Sequence, residues 1–245
     1  MTTVIINGYL GKMGTEAVKA VTADANLTLV AQTDKNDSLS EVIQAKNPDV
    51  VVDLTHPSTI FENCKSILKS AHAVIGTTGL TTEQLTNLDT LAKDNNKGVF
   101  VIPNFAIGAI LMMKFAKEAS KYMERVEIIE YHHDKKADAP SGTAIKTAEL
   151  IAEGNSEINS TPLDETEIIE GARGATKNNI PIHSVRLPGH VADQSVIFGA
   201  QGQKLTLSHD TISREAFMPG LIVCIKKIGA TTGLTYGLEN ILFSS

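Results

Sequence analysis

Between residues 4 and 102 the chain alternates short apolar runs with segments of helical periodicity, and this alternation restricts the fold more than any other feature. Val4-Ile5-Ile6, Leu27 to Ala31, Asp49 to Leu54, Ala73-Val74-Ile75 and Val99 to Ile102 read as strands. Residues 12–22 place Met13, Ala17, Val18 and Val21 at helical spacing, and residues 38–46 and 58–70 continue the series. Ser58 offers an N-cap for the third helix. Thr81 offers one for a fourth that runs to about Asn95, with Glu83 early in its first turn. The run D-V-V-V-D-L is continuously apolar at its centre, as in a parallel strand buried on both faces. Repeated strand–helix–strand order predicts a doubly wound parallel sheet with right-handed crossovers.

The pattern changes after Pro103-Asn104. Residues 107–122 read as a helix, 126–131 as a strand, and a further helix runs from near Ser141 to about Glu153. Residues 154–180 are polar and read as a long loop, followed by strands at 182–187, 195–199 and 203–208. This predicts an α+β module with a mostly antiparallel or mixed sheet. The apolar, partly helical tail returns to the first domain, giving domains at 1–106 with 214–245 and at 107–213. Hydrophobic residues make up 42% of the 245, enough for a real core. A net charge of −6 argues against a nucleic-acid partner, which needs a basic face. No apolar run approaches the roughly 20 residues of a membrane span. Two distant cysteines and no basic-then-apolar leader point to a reduced, cytoplasmic setting.

The first strand ends in Gly8-Tyr9-Leu10-Gly11-Lys12-Met13-Gly14, a G-x-x-G-x-x-G turn opening a helix. Glycine lets the backbone approach a pyrophosphate, and the helix N-terminus supplies N–H groups and a positive dipole end. A plain strand-to-helix turn is the competing reading. Asp34 ends the second strand 20 residues after Gly14, where an acid accepts hydrogen bonds from a ribose diol. Lys35 and Lys12 can both face a 2′-phosphate, so the expectation is use of either NADH or NADPH by a Rossmann-like domain. Thr55, in D-L-T-H-P, and G-T-T-G at 76–79 fall at strand C-terminal ends, where such sheets bind ligands. Each can equally be an ordinary turn.

The second motif is Glu130-Tyr131-His132-His133-Asp134-Lys135-Lys136. Adjacent strand residues face opposite ways, which argues against His132 and His133 sharing a metal, and no further ligands are evident. A histidine here can instead serve as a proton donor. Asp138-Ala139-Pro140-Ser141-Gly142-Thr143-Ala144 then opens a helix, whose first N–H groups at Gly142 and Thr143 face outward at a positive end. Together these groups make an anion pocket suited to a small acidic substrate, a solvated basic loop being the bland alternative. Arg214 can clamp a carboxylate bidentately or form a surface ion pair.

From about residue 4 to 220 the chain resembles the dihydrodipicolinate reductase family. The most specific stretch is E-Y-H-H-D-K-K-A-D-A-P-S-G-T-A at 130–144, supported by G-Y-L-G-K-M-G, D-L-T-H-P, G-T-T-G, P-N-F-A-I-G, H-S-V-R and S-R-E-A-F-M-P-G. The resemblance implies NAD(P)H-dependent reduction of a cyclic dicarboxylate imine in lysine and diaminopimelate biosynthesis. It implies a central α+β domain that binds substrate and forms a homotetramer. It makes His132 the general acid and Lys136 its partner, with His133, Lys136, Gly142 and Thr143 binding substrate. Cofactor contacts fall on residues 8–14, on Asp34, on Gly76, Thr77 and Thr78, and on Pro103, Asn104 and Phe105. Where many members carry V-G-E-H, this chain reads Val191-Ala192-Asp193-Gln194, so no role for that histidine carries over. Another two-domain amino-acid or aldehyde dehydrogenase is the competing reading; it lacks the 130–144 signature.

Overall fold

The computed structural model describes residues 1–243, which divide into two compact units. One unit comprises Met1–Ile107 with the chain from Arg214 onward, and the other comprises Gly108–Ser213.

The first unit is built on six parallel strands: β1 (Thr2–Asn7), β2 (Leu27–Thr33), β3 (Val50–Asp53), β4 (His72–Ile75), β5 (Gly98–Val101) and β11 (Gly233–Tyr236). Their order across the sheet is β11-β5-β4-β3-β1-β2, so the chain reverses its direction of travel between β1 and β3. Ligands of open α/β sheets bind at such a switch point, beyond the strand C-termini. All four residues of β3 are buried, as its uninterrupted valines require. Each such valine is worth roughly 1.5–3 kcal/mol of burial. Helices α2 (Leu39–Lys46), α3 (Ile60–Ile67) and α4 (Thr82–Asp94) press Ile43, Ile60, Cys64, Ile67, Leu88 and Ala92 into one core cluster with the sheet. α1 (Lys12–Ala23) and α7 (Met218–Ile228) contact each other in the same unit.

Three local expectations need correction. Ser58 does not cap α3: its hydroxyl bonds His56 Nδ1, and the helix starts later with Thr59 as N-cap. The His56 carbonyl accepts from both Thr59 and Ile60 N–H, so a turn after Pro57 uses up the first residues. The tail also contains β11, a short strand too weakly patterned to stand out; it pairs in parallel with β5. Within the expected loop at 154–180, Ala175–Lys177 forms a short edge strand, β7.

The second unit has a mixed five-stranded sheet of order β10-β9-β6-β8-β7. Its remaining strands are β6 (Arg125–His132), β8 (Ile180–Arg186), β9 (Ala192–Ala200) and β10 (Gln203–Thr211), and only the β6–β8 pair is parallel. Along β6 the buried positions are Val126, Ile128 and Glu130, the period of two expected of a sheet with one covered face. Two helices belong with this unit. α5 (Ile107–Ala119) buries Ile110, Met112 and Met113, and α6 (Gly142–Gly154) buries Ala144, Thr147, Ala148 and Ile151.

Candidate active site

In the first unit, the end of β1 is shaped by glycine. Gly8 has φ +87°, and a methyl group on it would lie 2.8 Å from the Leu54 carbonyl oxygen. A methyl on Gly14 would overlap the Gly8 carbonyl. The turn therefore closes tightly onto the first turn of α1, whose N-cap is Gly11, with no side-chain cap and no acidic residue within that turn. Its leading N–H groups have no partner within the helix. Lys12 and Met13 open the helix, Lys12 exposed. Asp34 accepts from Leu10 N–H at 3.2 Å and from Lys35 N–H at 2.7 Å, which ties the end of β2 to the turn.

Below the turn lies a buried polar network that sequence reasoning missed. The Asp53 carboxylate, fully buried, accepts from Asn7 Nδ2 (2.7 Å), Asn63 Nδ2 (2.8 Å), and Thr55 N–H (3.0 Å) and Oγ1 (2.6 Å). Asn7 Oδ1 accepts in turn from Thr33. The Thr55 hydroxyl is thus committed to Asp53. The buried Thr77 hydroxyl, by contrast, has no hydrogen-bond partner, and Thr78 is exposed beside it. Gly76 has no room for a side chain, since a methyl would lie 2.8 Å from the Phe105 ring. Phe105 is core packing here, Asn104 Oδ1 accepts from Ala106 N–H, and Pro103 is exposed. A glycine cradle, an uncapped helix N-terminus and an orphaned buried hydroxyl are what a dinucleotide pyrophosphate and ribose would satisfy.

In the second unit, His132 is the last residue of β6, two residues after Glu130 and on the same face. The Glu130 carboxylate is fully buried. It binds the His132 ring at Nδ1, receives the Arg186 fork at 2.9 and 2.8 Å, and accepts from Ser141 N–H at 3.3 Å. Burial alone would push this carboxyl up. Hydrogen bonds from His132, Arg186 and Ser184 outweigh burial and hold it at about 2. Arg186 also donates to the Asp138 carbonyl at 2.7 Å. Lys136 Nζ donates to both Asp138 carboxylate oxygens, at 2.7 and 2.9 Å, and holds that carboxyl below its usual range.

Ser141 caps α6, accepting from Ala144 N–H at 3.2 Å. A methyl on Gly142 would meet nothing within 4 Å, so the helix start is open there. The Thr143 carbonyl accepts from Thr147 Oγ1 (2.7 Å), which accepts from Gln194 Nε2 (2.7 Å). His133 is half-buried, its carbonyl closing a turn onto Lys136 N–H. Arg214 begins a single 3-10 turn, Arg214–Phe217, and belongs to the first unit.

Two more histidines contact carboxylates: His183 with Glu127 and His190 with Asp193. Pairing alone therefore does not single out His132. Nor does a carboxylate shared with an arginine, since Glu127 also holds Arg173; what does is that the His132 carboxylate reaches the start of α6 as well as Arg186. Glu130 was legible as a same-face neighbour of His132. Arg186, 56 residues away, was not, because only strand pairing brings His132 opposite it.

Both halves of the chain have counterparts among known proteins. The family model described as dihydrodipicolinate reductase, N-terminus, matches residues 2–105, and the C-terminus model matches residues 108–242. The 4-hydroxy-tetrahydrodipicolinate reductase of Listeria monocytogenes serotype 4b (strain F2365) is 48% identical, covering 98% of this chain and 99% of that protein. That of Coxiella burnetii (strain Dugway 5J108-111) is 49% identical, with 98% of both chains covered. A solved structure described as dipicolinate-bound dihydrodipicolinate reductase from Paenisporosarcina sp. TG-14 superposes with TM-score 0.89 at 45% identity, over 98% of this chain and 99% of that one. An amine dehydrogenase from Mycobacterium smegmatis, at 12% identity and TM-score 0.64, shares the fold alone, so the competing dehydrogenase reading is not favoured. Matched in both halves and nearly half identical to full-length relatives, the chain belongs to the dihydrodipicolinate reductase family, NAD(P)H-dependent oxidoreductases of lysine and diaminopimelate biosynthesis.

Proposed function

We propose that His132 delivers the proton in reduction of 4-hydroxy-tetrahydrodipicolinate, and that the start of α6, with His133 and Lys136, holds the substrate carboxylates. The observation that carries this reading is the Glu130 carboxylate, which bonds both the His132 ring and the backbone at Ser141. These two bonds link an imidazole to the start of α6, which supports a proton donor next to a carboxylate-binding helix end. With Nδ1 occupied by Glu130, Nε2 is the nitrogen left to exchange a proton. Ser141 caps the helix without covering the N–H of Gly142, where the open backbone admits a carboxylate. Lys136 has its ammonium on Asp138, and an incoming carboxylate offers the same oxygen pair. Arg214 stands as a further cation for the dicarboxylate.

For the cofactor, we assign residues 8–14 to the pyrophosphate, Asp34 to the ribose, Lys12 and Lys35 to a 2′-phosphate, and Thr55, Gly76, Thr77, Thr78, Pro103, Asn104 and Phe105 to the remaining contacts. A bound reduced nicotinamide supplies the hydride. An acid and two lysines in one place favour neither NADH nor NADPH strongly. The enzyme works as a cytoplasmic homotetramer in this reading.

The test follows NADPH absorbance with freshly prepared cyclic substrate. His132→Ala and Lys136→Ala should each lower kcat by roughly 10²-fold or more, with cofactor affinity kept. Wild-type turnover in either variant removes that residue from the mechanism. The ratio of kcat/KM for the two cofactors should stay well below a thousandfold, and a larger preference overturns dual use. Dipicolinate should compete with substrate, and sedimentation should give four copies.

A further inference from the structure

The ion pair between buried Glu130 and partly buried Arg186 reaches the end of β6, the loop before α6 and the start of α6 in the second unit. One Glu130 oxygen holds His132 Nδ1 and an Arg186 nitrogen; the other holds the second Arg186 nitrogen and Ser141 N–H. Arg186 then reaches past Glu130 to the Asp138 carbonyl. Asp138 is the residue whose side chain grips Lys136. Three features set this pair apart. Its carboxylate is fully buried and its guanidinium partly so, which makes the pair costly unless it is well hydrogen-bonded; both Glu130 oxygens are engaged, and Arg186 Nε is the one nitrogen of the fork left without a partner. Its geometry is a planar two-point fork, which fixes orientation as well as distance. Its partners come from the end of β6, the loop before α6 and the helix start, which no backbone pairing joins to one another.

We propose that Glu130 and Arg186 form a positioning hub that sets the His132 ring, the Lys136–Asp138 contact and the start of α6 in one geometry, so that the proton donor and the dicarboxylate pocket are assembled together. The proposal rests on the role given to His132 above. Glu130 acts on the ring, and Arg186 acts on the loop and helix.

Two single variants separate these actions. Glu130→Gln keeps the shape and loses the charge; Arg186→Lys keeps the charge and loses the fork. Glu130→Gln should lower kcat on the order of 10²-fold, the scale of a small misplacement of a reacting group. It should also change the ring-nitrogen signals of His132 in ¹⁵N spectra of the ligand-free chain, assigned with His132→Asn. Arg186→Lys should weaken dicarboxylate binding, titrated calorimetrically with dipicolinate, by roughly tenfold or more, the scale on which removing a group that orients a ligand's direct partners acts at metal sites. Cofactor affinity, housed in the other unit, should stay at the wild-type value in both. If a single variant does not fold, the apolar double variant Glu130→Leu/Arg186→Met removes both charges together and leaves none unpaired. Native unfolding midpoints with wild-type kcat, dicarboxylate affinity and histidine signals overturn the hub. So does a loss of kcat with unchanged histidine signals and unchanged dicarboxylate affinity. A wild-type chain that fails to reduce the substrate refutes the proposed reaction instead; the spectra and the titration, which need no turnover, still decide on the hub.

Discussion

Gly14 and Gly142 both sit in the first turn of a helix, yet their surroundings are opposite. A methyl on Gly14 overlaps the Gly8 carbonyl, whereas one on Gly142 enters open space. Gly14→Ala should therefore force a backbone shift that costs about 1–3 kcal/mol and should weaken NADPH binding in a fluorescence titration. Gly142→Ala should leave the thermal midpoint unchanged or slightly raised, since alanine suits a helix better, while dipicolinate affinity falls. Equal effects of the two variants on stability would contradict the packing at Gly14. The carboxyl of Glu130 gives a pH prediction. Its folded value of about 2 lies below its ordinary 4.5, so its bonds add stability that is fully present above about 4.5. That contribution is lost as pH falls from 4.5 toward 2. Denaturant midpoints of the wild type and Glu130→Gln should differ most near neutrality and converge across this window. A gap that widens on acidification would refute the assignment.

At the scale of elements, two N-caps allow a controlled comparison. Thr81 and Gln84 form a reciprocal capping box on α4, at 3.2 and 2.9 Å. Ser141 caps α6 alone. Thr81→Ala should cost about 1 kcal/mol of stability with kinetics untouched. Ser141→Ala should cost a similar amount and also raise the substrate KM, because its helix start is the proposed carboxylate site. Identical KM values in the two variants would separate α6 from substrate binding. Thr81 was readable from the sequence as a cap because the threonine stands directly before a long helical pattern. Ser58 was misread because a hydroxyl residue near a helix start carries the same signal whether it bonds the helix or a neighbouring side chain. β11 was missed for another reason: Gly233–Tyr236 is four residues long, and its strand character comes from pairing with β5.

For the whole molecule, the unit carrying the glycine turn is discontinuous in sequence. α7 buries Leu221, Cys224, Ile225 and Ile228, and β11 covers the edge of β5. A chain ending at residue 213 should expose this apolar surface, aggregate, and show no saturable NADPH binding by fluorescence. A soluble truncated chain with native cofactor affinity would show that the tail is not integral to the unit. Two carboxyl groups, Asp53 in the first unit and Glu130 in the second, are each fully buried, and each takes partners distant in sequence as well as one two residues away.

The sequence by itself determined the doubly wound sheet, the glycine turn and the segment from Glu130 to Thr143, because these depend on local periodicity, glycine geometry and residues close along the chain. Only the tertiary structure decided how that segment is held. Arg186 meets Glu130 because β8 lies parallel beside β6, and Asn63 meets Asp53 because α3 folds back toward β3. Strand register and helix docking are settled by the burial of whole faces, and no local pattern encodes which distant polar group then falls within reach of a buried carboxylate.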